Sequence, residues 1–323
     1  MAEHHRVGGA RARALARHVL TAVAVLLVVT FATFALVRAT PGNTASSIAV
    51  RQAGPGATQE QVDRIREELK LDDSVVAQYG VWLSRAVSGD LGRSEKTGRP
   101  VAEEIAEKLP RTLFLALGST LIAVVVGFAA GIVSAAVRRG PLPGVLRLLA
   151  LVGASVPAFW MAFLLIVVFS ERLGLLPTSG QAGPASWVMP WVVLAVPAAA
   201  TISRVVAVAL AEALRQPYVT AARARGASVR STIWRDALPN AAAATLNVTA
   251  LQVGMVLTGT VVVETVFAWP GLGAWFVASV EFRDNWAILA GVLVFAVGFI
   301  LITRTADVVQ TVGDPRLREE RIR

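Results

Sequence analysis

The segment from Tyr218 to Asn240 reads YVTAARARGASVRSTIWRDALPN and lies between two apolar segments that are each long enough to cross a membrane. It is polar and rich in arginine. Its first part predicts a short helix that ends at Gly226, because glycine readily adopts the left-handed conformation that terminates a helix. Ser228 then supplies an N-cap for a second short helix. The segment is therefore expected to form a rigid corner between two membrane helices.

The two predicted helices carry different surfaces. On the first helix, one face is shared by Tyr218, Ala221, Ala222 and Arg225. On the second helix, Val229, Ile233 and Ala237 form an apolar stripe beside Leu238, and Pro239 with Asn240 is expected to break the helix before the next membrane segment. A small-residue face beside an apolar edge is suited to a cleft in another protein. On the pattern alone, a basic linker at the membrane surface is the simpler interpretation.

The composition is that of an integral membrane protein. The 323 residues are 55% hydrophobic and only 16% charged, with a mean hydropathy of +0.60, whereas about a quarter of the residues in a soluble domain are charged. The net charge of +9 comes from basic residues that cluster in short loops between apolar runs. That distribution is typical of membrane topology and not of a nucleic-acid-binding face, so no nucleic-acid partner is expected.

The residue content excludes several kinds of catalytic and metal site. The chain has no cysteine, and its three histidines are all near the N-terminus, so a histidine-based triad or metal cage is excluded. No lysine follows a glycine, as an ATP-binding P-loop requires. We therefore expect no catalytic residue, no metal site and no cofactor in this chain.

The apolar runs predict an all-α protein with six transmembrane helices, and arginines in alternate loops predict that both termini are cytoplasmic. The expected division is a cytoplasmic tail (1–17), a first span (18–38), an extracellular insertion (39–111), a five-helix core (112–312) with a cytoplasmic loop at 212–240 between the fourth and fifth spans, and a second cytoplasmic tail (313–323). Within the insertion, an amphipathic helix is expected to stop at Pro110. A signal peptide is the alternative to the first span, but the run from Val19 to Val37 is longer than such peptides have.

Three features mark a candidate translocation pathway. Pro157, beside Ser155, is expected to kink the third span near mid-membrane depth. Thr245, Thr249 and Gln252 form a polar stripe on the fifth span, which should face the interior of the bundle. Near the outer end of the same span lies Glu264, where exposure at the interface would lower the cost of its charge. For Ser155, Pro157 and Glu264, packing is the alternative to a role in transport.

Several segments resemble the permease subunits of ABC importers. The spacing of Ala221 and Ala222, Gly226, and Leu238 with Pro239 resembles the EAA loop, by which such permeases dock on an ATPase, although Thr220 stands where the general motif has Glu. The segments similar to oligopeptide, dipeptide and nickel permeases are YVTAARARG (218–226), GDLGRS (89–94), TGRPV (97–101), SVPAFW (155–160), VVVETVFAWPGLG (261–273) and GDPRLR (313–318). The resemblance covers nearly the whole chain.

This resemblance implies a permease subunit of an ATP-driven, binding-protein-dependent importer of peptides or a related small solute in a bacterial inner membrane. The implied partners are a second, homologous permease, two ABC ATPase subunits that hold ATP and Mg, and an extracellular or periplasmic solute-binding protein. The residues implied to dock the ATPase are Tyr218, Thr220, Ala221, Ala222, Arg223, Arg225, Gly226, Ile233, Leu238 and Pro239.

Two other classes of protein fit the sequence less well. An ion-coupled secondary transporter needs titratable groups near mid-membrane depth, and the charged residues of these spans are peripheral. An intramembrane enzyme needs paired carboxylates or histidines within the bilayer, and the apolar runs offer neither.

Overall fold

The computed structural model describes residues 2–39, 49, 54, 56–68, 73–137 and 140–313, and most of these residues are helical. Two π-helical segments are present, Ile166–Arg172 directly after α6 and Thr232–Ala237 directly before α10. The helices are α1 (Ala2–Ala39), α2 (Gln59–Glu68), α3 (Val75–Val87), α4 (Val101–Ala136), α5 (Leu142–Ser155), α6 (Ala158–Leu165), α7 (Ala185–Ala213), α8 (Pro217–Ala224), α9 (Val229–Ser231), α10 (Leu238–Val266), α11 (Leu272–Phe282) and α12 (Asn285–Gly313).

Helices that are long and apolar enough to cross a membrane dominate the described residues. There are five of them: Val19–Ala39, Val101–Ala136, Ala185–Ala213, Thr245–Val266 and Asn285–Thr305. A sixth span results if α5 and the helical stretch Ala158–Arg172 cross together, although the chain bends by 106° between them. The all-α membrane architecture is confirmed, the expected kink at Pro157 is a complete break, and the count of six stays a prediction.

The two expected tails stay predictions. Residues 2–17, expected as a tail, belong to the same helix as the first span, because α1 begins at Ala2. The second tail, expected at 313–323, lies outside the described residues beyond Gly313. The division into an extracellular insertion and a five-helix core stays a prediction.

Proline did not end the helix at Pro110, and that prediction was wrong. Helix α4 continues through Pro110 for a total of 36 residues. A proline removes one backbone hydrogen bond, but packing on both sides can hold the helix together. Here Glu104 and Ile105 are buried before the proline, and Thr112 and Leu115 are buried after it.

The contacts divide the chain into two units, and the first comprises Met1–Lys108 with Trp275–Gly298. A buried cluster in this unit contains three aromatic side chains, Phe34, Tyr79 and Trp82, together with Leu289. The hydroxyl groups of Thr30 and Tyr79 share a hydrogen bond of 2.8 Å, which links α1 to α3.

A tight loop at residues 91–100 is fastened inside the same unit by two buried carboxylates. Asp284 accepts hydrogen bonds from the Ser94 hydroxyl at 2.5 Å and from the backbone N–H of Lys96 at 3.2 Å. Glu104 accepts hydrogen bonds from the Thr97 hydroxyl and the Trp275 indole, both at 2.7 Å. The GDLGRS and TGRPV segments therefore build a folded loop with internal anchors.

The second unit, Leu109–Ala274 with Phe299–Arg323, is built around α7. Its core joins apolar side chains of α4, α6, α7 and α10. Gly127 and Gly131 of α4 bring that helix against α7, since a Cβ built on Gly131 would lie 2.7 Å from the carbonyl oxygen of Ser203. The two glycines therefore let α4 and α7 pack closely.

Candidate functional site

The corner that follows α7 is closed by backbone hydrogen bonds. Helix α8 begins with Pro217 and ends in a Schellman motif, in which Gly226 donates to the carbonyl of Arg223 and Ala227 donates to the carbonyl of Ala222. Gly226 has a φ of +88°, as this motif requires. The predicted left-handed helix end at Gly226 is therefore confirmed.

The second half of the corner leads directly into the next membrane helix. The Ser228 hydroxyl accepts a hydrogen bond from the backbone N–H of Ser231, which confirms the predicted N-cap. The expected break at Pro239 is wrong, because α10 continues directly from the π-helical segment Thr232–Ala237 and contains Pro239 as its second residue. The corner and α10 therefore form one continuous helical element.

The inner face of the corner is a buried apolar cluster, which we call the corner cluster. It contains Leu210, Ala213, Leu214, Val219, Ile233, Ala237 and Ala241, with Ile132, Ala135, Ala136 and Ala209 packed against it. Ala222 is also buried. The expectation that Ala222 and Ile233 present a surface to a partner is thereby corrected, because both point into the protein.

The outer face carries most of the other residues expected at a docking surface. Exposed there are Tyr218, Thr220, Ala221, Arg225, Gly226 and Pro239, while Arg223 and Leu238 are partly buried. Trp234 was not among the predicted residues, and it is 55% exposed although it is the largest side chain of the corner. The signal was available, because Trp234 follows directly after the buried Ile233 and so faces away from the corner cluster.

The break in the third span opens a groove. Val156 and Pro157 are extended, with ψ values of 124° and 136°, and they separate α5 from α6. The groove has a volume of about 560 Å³ and is lined by Leu151, Val152, Ser155, Val156, Pro157, Phe159 and Trp160. Ser155 donates its hydroxyl hydrogen to the carbonyl of Leu151, so the groove is largely apolar.

The polar stripe of α10 lies against other helices of its unit. Thr249 and Gln252 line a narrow seam against Thr120 of α4 and Ala198 of α7, and this seam is too small to admit water. Thr245 is buried one turn earlier. The seam shares no lining residue with the groove at Ser155, so the structure does not bring these pathway candidates together in one cavity.

Glu264 is fully buried, and the expectation of interfacial exposure is wrong. Its carboxylate accepts a hydrogen bond from the Thr112 hydroxyl at 2.6 Å and from the backbone N–H groups of Gly273 at 2.6 Å and Ala274 at 3.1 Å. The Thr112 hydroxyl in turn accepts the backbone N–H of Leu272 at 2.7 Å. Together these two side chains cap the first turn of α11, so Glu264 is a structural anchor between α4, α10 and α11.

Glycine is required around this anchor because there is no room for a side chain. A Cβ on Gly271 would overlap the Glu264 carboxyl group, and one on Gly273 would lie 2.6 Å from the Cα of Val261. Thr112, the partner of Glu264, was not predicted from the sequence. The WPGLG run was a signal that the backbone approaches another group closely, but the identity of that group was not inferable from it.

Comparison with known proteins gives consistent matches over most of the chain. The family model for the binding-protein-dependent transport system inner membrane component matches residues 127–319, and the model for the N-terminal part of such membrane components matches residues 11–116. The glutathione transport system permease protein GsiC of Escherichia coli strain K12 is 38% identical over 303 residues, which cover 94% of this chain and 97% of that protein.

A second relative is the putative peptide transport system permease protein BAB2_1050 of Brucella abortus strain 2308. It is 36% identical over 310 residues, covering 94% of this chain and 98% of that protein. Among solved structures, an inward-facing form of the MetNI methionine ABC transporter aligns with a TM-score of 0.55 and 22% identity, over 65% of this chain and 96% of that one. This structural likeness shows a shared fold.

Proposed function

Because the chain belongs to the family of binding-protein-dependent transport system inner membrane components, and is thus a permease subunit of a peptide-type importer, we propose that it carries small peptides or peptide-like solutes across a bacterial inner membrane. The two relatives described above are named for glutathione and for peptides, which supports that substrate class. Glutathione is itself a tripeptide, so the substrates in both names belong to the class of small peptides.

The outer face of α8 docks an ABC ATPase subunit in this proposal. The observation that carries it is the rigid corner, in which the Schellman motif at Gly226 fixes an exposed helix while the corner cluster fixes its inner side to the ends of α4 and α7. A packed corner moves with the helices that it joins, so a push on α8 becomes a movement of the spans. The docking residues are Tyr218, Thr220, Ala221, Arg223, Arg225, Gly226, Leu238 and Pro239, with Ala222 and Ile233 as support from beneath.

The remaining subunits supply what this chain is proposed not to contain. Two ATPase subunits bind ATP and Mg, a homologous permease completes the pathway, and an extracellular or periplasmic binding protein delivers the solute. Both termini and the corner at 212–240 are then cytoplasmic, consistent with the arginines there.

The pathway is proposed to pass the break at Ser155 and Pro157. Non-helical backbone at membrane depth is tolerated only where it is buried in protein or lines a water-filled cavity, and Ser155 and Pro157 are exposed in this chain. The polar stripe of Thr245, Thr249 and Gln252 is the second candidate lining, which domain movement would open. Glu264 contributes by holding α11 in place.

Co-purification tests the proposal. The chain is extracted in mild detergent from its own host, and the accompanying proteins are identified by mass spectrometry. We expect a second permease and ATPases with P-loops. Recovery of the chain alone, active in uptake driven by an ion gradient, would overturn the proposal.

A further inference from the structure

An exposed patch on the corner is not used by the proposed docking face. It consists of Val229, Arg230, Trp234 and Arg235, and we call it the basic-aromatic patch. Val229 is 59% exposed and Trp234 is 55% exposed, and both arginines are exposed as well. Neither guanidinium group has a hydrogen bond or ion pair with any residue that the structure describes.

The level of this patch along the spans follows from the residues beneath it. Ile233, the neighbour of Trp234, belongs to the corner cluster together with Leu210 and Ala213, in the last turn of α7. Ala135 and Ala136, the last residues of α4, pack against the same cluster. The patch therefore lies where two membrane spans end, which is the boundary between the bilayer and water.

Tryptophan and arginine side chains together fit the chemistry of that boundary. An indole ring is stabilised at the headgroup level, where its apolar body and its N–H are both accommodated. Arginine binds phosphate through paired N–H groups. The one carboxylate close by in sequence, Asp236, is partly buried, so two positive charges remain available on the surface.

We infer that the basic-aromatic patch binds the phosphate groups of anionic phospholipids. The bound headgroups stabilise the corner from the side while the ATPase binds its outer face, so anionic lipid supports the coupling between the corner and the ATPase. The inference rests on the proposed function for the assignment of the leaflet, which is the cytoplasmic one, and for the docking of the ATPase on the corner. A second protein on the same patch is the competing outcome of the test.

The test uses the full transport complex in lipid nanodiscs. The natural chain has no cysteine, so Val229→Cys and Thr220→Cys each carry a single fluorescent dye, the first on the patch and the second on the proposed ATPase face. In one set of nanodiscs, half of the lipid is brominated phosphatidylglycerol, which quenches dyes in contact with it. In a parallel set of nanodiscs, brominated phosphatidylcholine takes the place of that lipid. ATPase binding is measured on the same samples.

We expect the dye at 229 to be quenched at least twofold more by brominated phosphatidylglycerol than by brominated phosphatidylcholine, and the dye at 220 to be quenched by neither. Adding Arg230→Gln and Arg235→Gln should remove the difference at 229 while the ATPase stays bound. Equal quenching by the two lipids, or no quenching at 229 with the ATPase bound, overturns the inference and leaves the proposed function intact. Loss of ATPase binding in every sample overturns the proposed function instead.

Discussion

At the scale of single residues, the anchor around Glu264 depends on glycine at position 273. A Cβ on Gly273 would lie 2.6 Å from the Cα of Val261, and a backbone atom cannot move aside cheaply. We expect Gly273→Ala to destabilise the protein by about 1–3 kcal/mol, the usual cost of overpacking. Titration of the purified chain with sodium dodecyl sulfate measures this loss.

Gly144→Ala is the matched control, because nothing lies within 4 Å of a Cβ at that position in α5. It should unfold at the same detergent concentration as the wild-type chain. Equal stability of Gly273→Ala and Gly144→Ala would contradict the packing described for α11.

The hydrogen bonds of the same anchor predict a non-additive pair of substitutions. Glu264→Gln replaces one acceptor oxygen with a donor group that faces other donors, and Thr112→Val removes both the bond to Glu264 and the acceptor for Leu272. Each change should cost about 1–3 kcal/mol, since it leaves a buried group unpaired. The double substitution should cost less than the sum, with a coupling of about 0.5–3 kcal/mol.

Thr258→Val provides the reference for the loss of a hydroxyl group alone. The Thr258 hydroxyl bonds only to the carbonyl of Gly254 in its own helix, so it should not couple to Glu264→Gln. Strict additivity of Thr112→Val with Glu264→Gln would show that the two side chains do not act together.

At this scale the sequence predicted the position of Glu264 but not its surroundings. Glu264 and Thr112 are 152 residues apart, and no local pattern connects them. Burial of the carboxylate depends on the path of α11 after the WPGLG turn, which packing decides. By contrast, the left-handed Gly226 and the capping Ser228 were predictable because each acts within a few residues of its own position.

At the scale of secondary-structure elements, the shape of the corner predicts which substitutions Gly226 tolerates. A Cβ there meets nothing within 4 Å, so the restriction comes from its φ of +88° and not from lack of space inside the chain. Asparagine tolerates this conformation and valine does not. We expect Gly226→Asn to keep most of the ATP-driven uptake and Gly226→Val to lose at least tenfold, measured with radiolabelled peptide in proteoliposomes of the whole complex.

Gly140→Val is the control for a strained glycine elsewhere, since Gly140 has a φ of +95° and equally free space. It should reduce uptake far less than Gly226→Val does. If Gly226→Asn were as defective as Gly226→Val, the bulk of the side chain at the docking surface would be the cause, and the conformational explanation would fail.

The elements also show why prolines were the least predictable part of the sequence. Pro110, Pro157 and Pro239 look alike as breakers, yet only Pro157 separates two helices. Pro239 lies where the π-helical segment passes into α10, and Pro110 lies between buried turns that hold α4 together. Position relative to the ends of the packed helix decides the outcome, and that position is a tertiary property.

At the scale of the whole molecule, hydropathy was sufficient for the membrane architecture, because long apolar helices are imposed by the bilayer itself. It was insufficient for the third span, where the two halves differ in direction by 106°. Length and composition describe α5 and the stretch Ala158–Arg172 as one apolar run. The bend arises at two extended residues, Val156 and Pro157. The composition of an apolar run does not show where its backbone becomes extended.

That break predicts where water enters the assembled transporter. Because extended backbone at membrane depth requires water or protein beside it, we expect a cysteine at Ser155 to react with a water-soluble, membrane-impermeant maleimide in the whole complex. Its labelling rate should change at least threefold between the nucleotide-free complex and the complex trapped with ATP and vanadate, since domain movement alters access to the pathway.

Val125→Cys is the matched comparison, because Val125 is 59% exposed near the middle of the apolar part of α4 and should contact lipid, which the reagent does not enter. Because this chain has no natural cysteine, each substitution is the only reactive thiol in it. Equal labelling at 155 and 125 would remove the break from the pathway. Labelling at 155 that responds to ATP would instead show that the broken span and the corner at Gly226 move in the same ATP-driven cycle. Such coupled movement is expected because both α5 and the corner pack on α7.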